Sequence, residues 1–122
     1  MITHHGAEPE RVLSRSVRAG DWLHVSGQAS TDPVTGAFVP GTFDEEFERS
    51  IANLDLALAE AGAQRRHLVR IGAYVRDESA LPRFNELYAA TFDFPRPART
   101  TIAMGFGFLQ FEIDAVAYLG AD

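Results

Sequence analysis

Apolar residues recur along this chain with two different periods, and the switches between them divide it into strands and helices. Residues 12–17 and 22–25 are β-type runs joined by Arg18-Ala19-Gly20-Asp21, which reads as a hairpin turn. Residues 29–42 are loop, with Asp32-Pro33 and Thr35-Gly36 as turn signals and room for a short strand around Ala37 to Val39. A helix is predicted over 43–61. Thr42 and Glu45 form a capping box, Phe47, Ile51, Leu54, Leu58 and Ala61 make one stripe, and Gly62 stops the helix. Residues 67–76 alternate as a strand, with Val69, Ile71, Ala73 and Val75 on one face and Leu68, Arg70, Gly72 and Tyr74 on the other. A second helix is predicted over 80–92, with Ser79 as N-cap, Pro82 in the first turn, and Phe84, Leu87, Tyr88 and Phe92 inward. Pro95 and Pro97 forbid its continuation, and two strands follow over 99–104 and 110–119.

The order ββαβαββ predicts an α+β fold, a single mixed sheet with two helices on one face. The chain reads as one domain, 1–122, with 1–10 as a flexible N-terminal segment. On the last strand Phe111, Ile113, Ala115 and Ala117 form the core face, which leaves Glu112, Asp114, Val116 and Tyr118 opposite. That second face mixes Leu, Val and Tyr with charges. It is too apolar for bulk water, and a homo-oligomer is expected to cover it.

Composition narrows the chemistry. All eleven basic residues are arginines, and there is no lysine and no cysteine. Schiff-base catalysis, a P-loop lysine, thiol nucleophiles, disulfides and cysteine-ligated metals are excluded. The net charge of −6 and the absence of a basic stripe argue against a nucleic-acid partner. No apolar run reaches the ~20 residues of a membrane span, and Met-Ile-Thr-His-His is no basic-then-apolar leader, so a cytoplasmic location and no membrane partner are expected.

His4, His5, His24 and His67 form no ligand pair, and no metal is expected. Ser26 lies in Val25-Ser26-Gly27-Gln28, which is no nucleophile elbow but can offer backbone groups at a strand end. Gly105-Phe106-Gly107-Phe108 lacks a nucleotide-binding pattern and reads as a hairpin turn. With Gly105-Phe106 as a two-residue turn, Arg99 stands directly opposite Glu112. That pair is either a surface ion pair worth at most about 1 kcal/mol, or a carboxylate clamp beside a general acid/base. Pro95 and Pro97, which present Arg99 rigidly, favour the clamp.

Several segments together resemble the reactive-intermediate deaminase (RidA/YjgF) family over about residues 12–118. They are residues 18–28, Asp32 to Gly36, Asn53-Leu54, Leu58 with 61–63, Tyr74 to Asp77, Phe84-Asn85 with Tyr88 and Phe92, Pro97 to Thr101, and Glu112 to Ala117. The resemblance implies a chorismate-mutase-like protomer in a homotrimer, sheet faces inward, with sites in the clefts between subunits. It implies cofactor-free hydrolysis of 2-imino or enamine acids to 2-oxo acids and ammonia. Arg99 matches the arginine that holds the substrate carboxylate, and Glu112 the acid that positions water. Ser26, Gly27, Asn85 and the backbone of Thr101 match pocket positions. The alternative is a non-catalytic trimer that binds a carboxylate metabolite or acts as a chaperone-like partner; endoribonuclease activity fits an acidic, lysine-free chain poorly. Leu13 stands where a pocket tyrosine is usual, and Thr101 replaces a common cysteine. The Asn85–Arg99 and Arg99–Glu112 connections are short, and a Leu-Pro pattern gives way to 105–110. Phe94, Phe106 and Phe108 point to a more apolar cleft, or to core or interface.

Overall fold

The computed structural model describes residues 1–121, so the last position of the expected domain lies outside it. Six strands, β1 (Ile2–His5), β2 (Ser16–Ala19), β3 (Trp22–Gln28), β4 (Leu68–Val75), β5 (Ala98–Ala103) and β6 (Phe111–Tyr118), form one sheet in the order β1-β2-β3-β6-β4-β5. The β4–β5 pair is parallel and every other pair antiparallel, giving the mixed sheet expected.

The helices are α1 (Phe43–Glu60) and α2 (Leu81–Thr91). The α1 capping box forms as its residues require: Thr42 Oγ1 accepts from the Glu45 amide at 3.2 Å, and the Glu45 carboxylate accepts from the Thr42 amide at 2.9 Å. Gly62, at φ +75°, turns the chain out. The α2 helix begins one residue later than predicted and Ser79 does not cap it; a single 3-10 turn, Glu78–Ala80, leads into Pro82 instead. Both helices lie on one sheet face. Phe47 of α1 and Phe84 of α2 meet Phe111 of β6 at ring-centroid distances of 5.1 and 5.4 Å, all three fully buried. Tilted aromatic contacts of this kind add roughly 1 kcal/mol to the burial of each ring.

Three expectations are corrected. Part of the N-terminal segment taken as flexible is strand β1, paired with β2 from Ile2↔Ala19 to His5↔Ser16. Its side chains are mostly exposed, so its backbone pairing leaves no hydrophobic period in the sequence. The order is therefore βββαβαββ. In β4 the register shifts between Leu68 and Arg70. The bulge reverses the alternation, so Leu68 is buried opposite Ala117, whereas Val69 is exposed. Finally, residues 104–110 are not a hairpin turn. The helix crossover through α2 lays β5 parallel to β4, and β6 inserts between β3 and β4. The segment thus bridges two strand spacings, about 10 Å, which a two-residue turn cannot span.

One buried carboxylate anchors this crossing. Glu46, 1% exposed, accepts from the Gln110 amide at 3.0 Å, from Gln110 Nε2 at 3.0 Å and from the Gly41 amide at 3.3 Å. Glu46→Ala leaves those donors without an acceptor and is expected to cost about 2–3 kcal/mol in denaturant unfolding. A loss under about 0.5 kcal/mol would show that water replaces the carboxylate. Among the described residues no helix is long and apolar enough to cross a membrane.

Candidate active site

The corrected pairing separates the two residues on which the sequence reading centred. Arg99 on β5 is in register with Ile71, which is fully buried beneath the helices, so its side chain leaves the sheet on the helix side. Glu112 on β6 is in register with Tyr74, on the face without helices. They lie on opposite faces, about 10 Å apart along the strands and about 10 Å across them. They are not cross-strand partners.

Each has gathered its own group. Arg99 Nη2 donates to Asn85 Oδ1 at 2.7 Å, and its guanidinium lies 4.7 Å from the Phe84 ring centroid and 4.6 Å from that of Tyr88. Phe84, Asn85 and Tyr88 come from adjacent positions on α2, so one helix face supplies two rings and an amide. The guanidinium is oriented by stacking and one hydrogen bond, and the residue is exposed at the sheet edge. The Asn85 bond occupies one N–H group of the guanidinium, on Nη2. Thr101, two residues on and on the same face, has a buried Oγ1 with no partner, as does the Tyr88 hydroxyl. Burial raises the Tyr88 pKa, keeping the phenol protonated.

Glu112 lies against the end of β3. A Cβ on Gly27 would sit 3.0 Å from both Cδ and Oε1 of Glu112, so the carboxyl rests on bare backbone. The β3–β6 register breaks between Val25 and Gln28, and this irregularity brings Gly27 beneath the carboxyl. Ser26 Oγ donates to the Ser14 carbonyl at 2.7 Å and the Ser26 amide to the Arg15 carbonyl at 3.0 Å. Its hydroxyl proton is thereby committed, and Ser26 offers a ligand only lone pairs. The same bonds fix the segment carrying Leu13, which is 58% exposed. Desolvation raises the Glu112 pKa, and the charge of Asp114 adds to it. A carboxyl of this kind holds a proton more readily than a surface glutamate and is suited to proton transfer.

Arg99 and Asn85 thus meet in one group with Thr101 beside them, and Glu112, Ser26 and Gly27 in another. Sequence reasoning missed Tyr74 and Asp114, whose side chains join at 2.7 Å beside Glu112, and the ring cradle under Arg99. The inward spacing of Phe84 and Tyr88 signalled core, and the rings serve both purposes. Phe94 and Phe108 are 85% and 66% exposed, and Phe108 stacks on Phe38 at 4.7 Å, so neither belongs to the core. A groove of about 500 Å³ lies elsewhere, between α1 and residues 31–36 with Arg11 and Arg15 at its rim, and contains none of the six predicted site residues. A site assembled from two chains would not appear as a cavity in one.

Gly27→Ala should push the Glu112 carboxyl aside by a few tenths of an ångström without backbone strain, because Gly27 has no positive φ. If Glu112 reacts, kcat should fall about tenfold with the fold unchanged, as small misplacements of a reacting group do. Full kcat would show that the carboxyl's seat is irrelevant.

The chain is similar over most of its length to known proteins. A RutC family protein of Pyrococcus abyssi is 30% identical over 120 residues, covering 97% of this chain and 94% of the relative. The mouse protein named 2-iminobutanoate/2-iminopropanoate deaminase is 31% identical over 110 residues, 88% of this chain and 81% of its own. The crystal structure of RidA from an Antarctic Psychrobacter matches with a TM-score of 0.82 at 25% identity, covering 91% of each chain. The family profile described as Endoribonuclease L-PSP matches residues 4–119, and the chain belongs to that family, the RidA/YjgF proteins.

Proposed function

We propose that the protein hydrolyses 2-imino or enamine acids to 2-oxo acids and ammonia, without a cofactor, at sites formed between the subunits of a homotrimer. The observation that carries this reading is the complementary pair of half-sites: a tethered, exposed guanidinium at one edge and a desolvated carboxyl on the opposite face. In a 2-imino acid the carboxylate and the electrophilic C2 are directly bonded, so no substrate touches Arg99 and Glu112 of one protomer. A second copy, placing its Arg99 edge over the first copy's bare face, brings them together. Such a heterologous contact closes as a ring, and a ring of three is the family's expected assembly. Trp22 and Ile102 are 46% and 44% exposed, and this exposed apolar surface favours a contact that would cover it.

In the reaction, Arg99 of one subunit holds the carboxylate, oriented by Asn85. Glu112 of its neighbour takes a proton from water as the water oxygen bonds to C2 of the protonated imine and the C=N electron pair moves to nitrogen, giving a neutral carbinolamine. Glu112 returns that proton to nitrogen, the C2–N bond breaks and ammonia leaves, and the hydroxyl proton passes to Glu112, completing the C2 carbonyl.

The test generates imines in situ with an amino-acid oxidase, with semicarbazide as competing trap. Added protein should divert imine to free 2-oxo acid. No diversion with any of several amino acids would sink the reading. Exposed Leu13, in place of a pocket tyrosine, favours the alternative of a trimer that binds carboxylates without turnover; thermal stabilisation by a 2-oxo acid, with no diversion of imine, would identify it. The family description also names an endoribonuclease, but a net charge of −6 without lysine opposes RNA binding, and binding that persists at moderate salt would reverse that judgement.

A further inference from the structure

Beside Glu112 the bare sheet face carries a second carboxyl in a fixed seat. Asp114 follows two residues along β6 on the same face, and Tyr74, directly opposite Glu112 on β4, reaches diagonally to donate its hydroxyl to Asp114 Oδ2 at 2.7 Å. The pair lies over Gly72, which is in register with Asp114. A Cβ there would collide with Asp114 Oδ1 and approach the Tyr74 hydroxyl to 2.9 Å, so only glycine leaves the seat open. Gly72 has no positive φ, and the space, not the backbone conformation, requires it. Three positions on two strands therefore cooperate to hold one carboxylate next to Glu112.

We infer that the Tyr74–Asp114 pair, seated on Gly72, is a positioning device that makes Glu112 a proton carrier, strengthening it as the base that takes a proton from water and then returns it to the departing nitrogen. This rests on the deamination reading above. Like charges on neighbouring carboxyls favour protonation of one of them, and the tether to Tyr74 keeps Asp114 from swinging into water, where its effect would be screened. The phenol serves as donor because the same hydrogen bond raises its own pKa, so it stays protonated.

The other charged groups around Glu112 are directed elsewhere. Arg70 lies farther along β4, opposite Val116, and its guanidinium donates to Thr100 Oγ1 and the Ile71 carbonyl, each at 3.2 Å. Arg76, beyond the other end of β4, pairs with Asp77 at 3.3 Å. On β3, His24 is also opposite Val116, and Gly27 presents backbone alone. Among the described residues no helix covers this face. The cation that faces Glu112 in the proposed trimer is Arg99 of the partner subunit, which the substrate carboxylate neutralises on binding.

The experiment titrates Glu112 directly, by carbon NMR of protein labelled at the glutamate carboxyls, with the signal assigned through Glu112→Gln. Asp114→Asn preserves shape and an acceptor for Tyr74 but removes the charge. It should lower the proton affinity of Glu112 about three- to tenfold, moving its midpoint down by about half to one pH unit. Tyr74→Phe keeps the charge and removes the tether, and should move the midpoint the same way by less. If Asp114→Asn fails to fold, Tyr74→Phe carries the test. A Glu112 midpoint that neither folded variant lowers overturns the inference, whatever the activity. In the turnover assay the acid limb of kcat/KM should shift to lower pH in Asp114→Asn, because the group that must be ionised then ionises earlier. A parent protein that turns over no imine overturns the deamination reading alone, since the carboxyl titration needs no turnover.

Discussion

Arg99→Ala is expected to lower kcat/KM for 2-imino acids by about a hundred- to a thousandfold, the usual cost of deleting one member of a desolvated, hydrogen-bonded charge pair. The loss has two sources. The substrate carboxylate loses its bidentate partner, and C2 is no longer held over the glutamate of the neighbouring subunit. Stability should change little. Arg99 is exposed, and it contributes one hydrogen bond to Asn85 and contact with the faces of Phe84 and Tyr88, together about 1 kcal/mol. Arg99→Lys separates charge from shape: it keeps the cation but loses the planar fork and the stacking, and should recover only a small part of the rate. The oxidase-coupled assay and thermal unfolding, run side by side, decide the matter. An unchanged rate for Arg99→Ala would remove Arg99 from the site.

Glu112→Gln should be as damaging, about a hundred- to ten-thousandfold in kcat, because the amide can neither take nor give the proton. The more informative result comes from mixing. Arg99 and Glu112 face opposite sides of one protomer, so each proposed site draws them from different chains. Unfolded together in equal amounts and refolded, the inactive Arg99→Ala and Glu112→Gln chains should recover about a quarter of the parent rate, the share of interfaces that receive both intact residues from random partners. A site contained within one chain predicts no recovery. Activity that stays absent while mass spectrometry shows mixed trimers would therefore refute the intersubunit site.

The parts of the fold that were legible in the sequence are those governed by neighbours along the chain. The α1 helix was readable because its cap, its stripe and its stop lie within twenty residues, and each has a local physical cause. The core face of β6 was readable because a half-buried strand must alternate. The six residues proposed for the site were read as chemical types and, through resemblance, as positions. Strand β1 was not legible, because an exposed edge strand is held by backbone hydrogen bonds that impose no hydrophobic pattern. The bulge in β4 was hidden for a related reason: either Leu68 or Val69 satisfies the core, and the pairing with Ala117 selects Leu68.

The relation between Arg99 and Glu112 shows where reading along the chain ends. A glycine-rich segment between two strands invites a hairpin, and a hairpin would make the two residues partners on one face. Which strands become neighbours depends instead on the α2 crossover and on the gap between β3 and β4 that β6 fills. Those are contacts between segments remote in sequence, and no local period encodes them. The sequence by itself excludes lysine and thiol chemistry, which leaves arginine, glutamate, backbone and water for the reaction proposed. Three-dimensional packing settled that the two side chains leave opposite faces of the sheet, and that Tyr74, Asp114 and Gly72 gather beside the glutamate, because strand order is fixed by long-range burial and pairing.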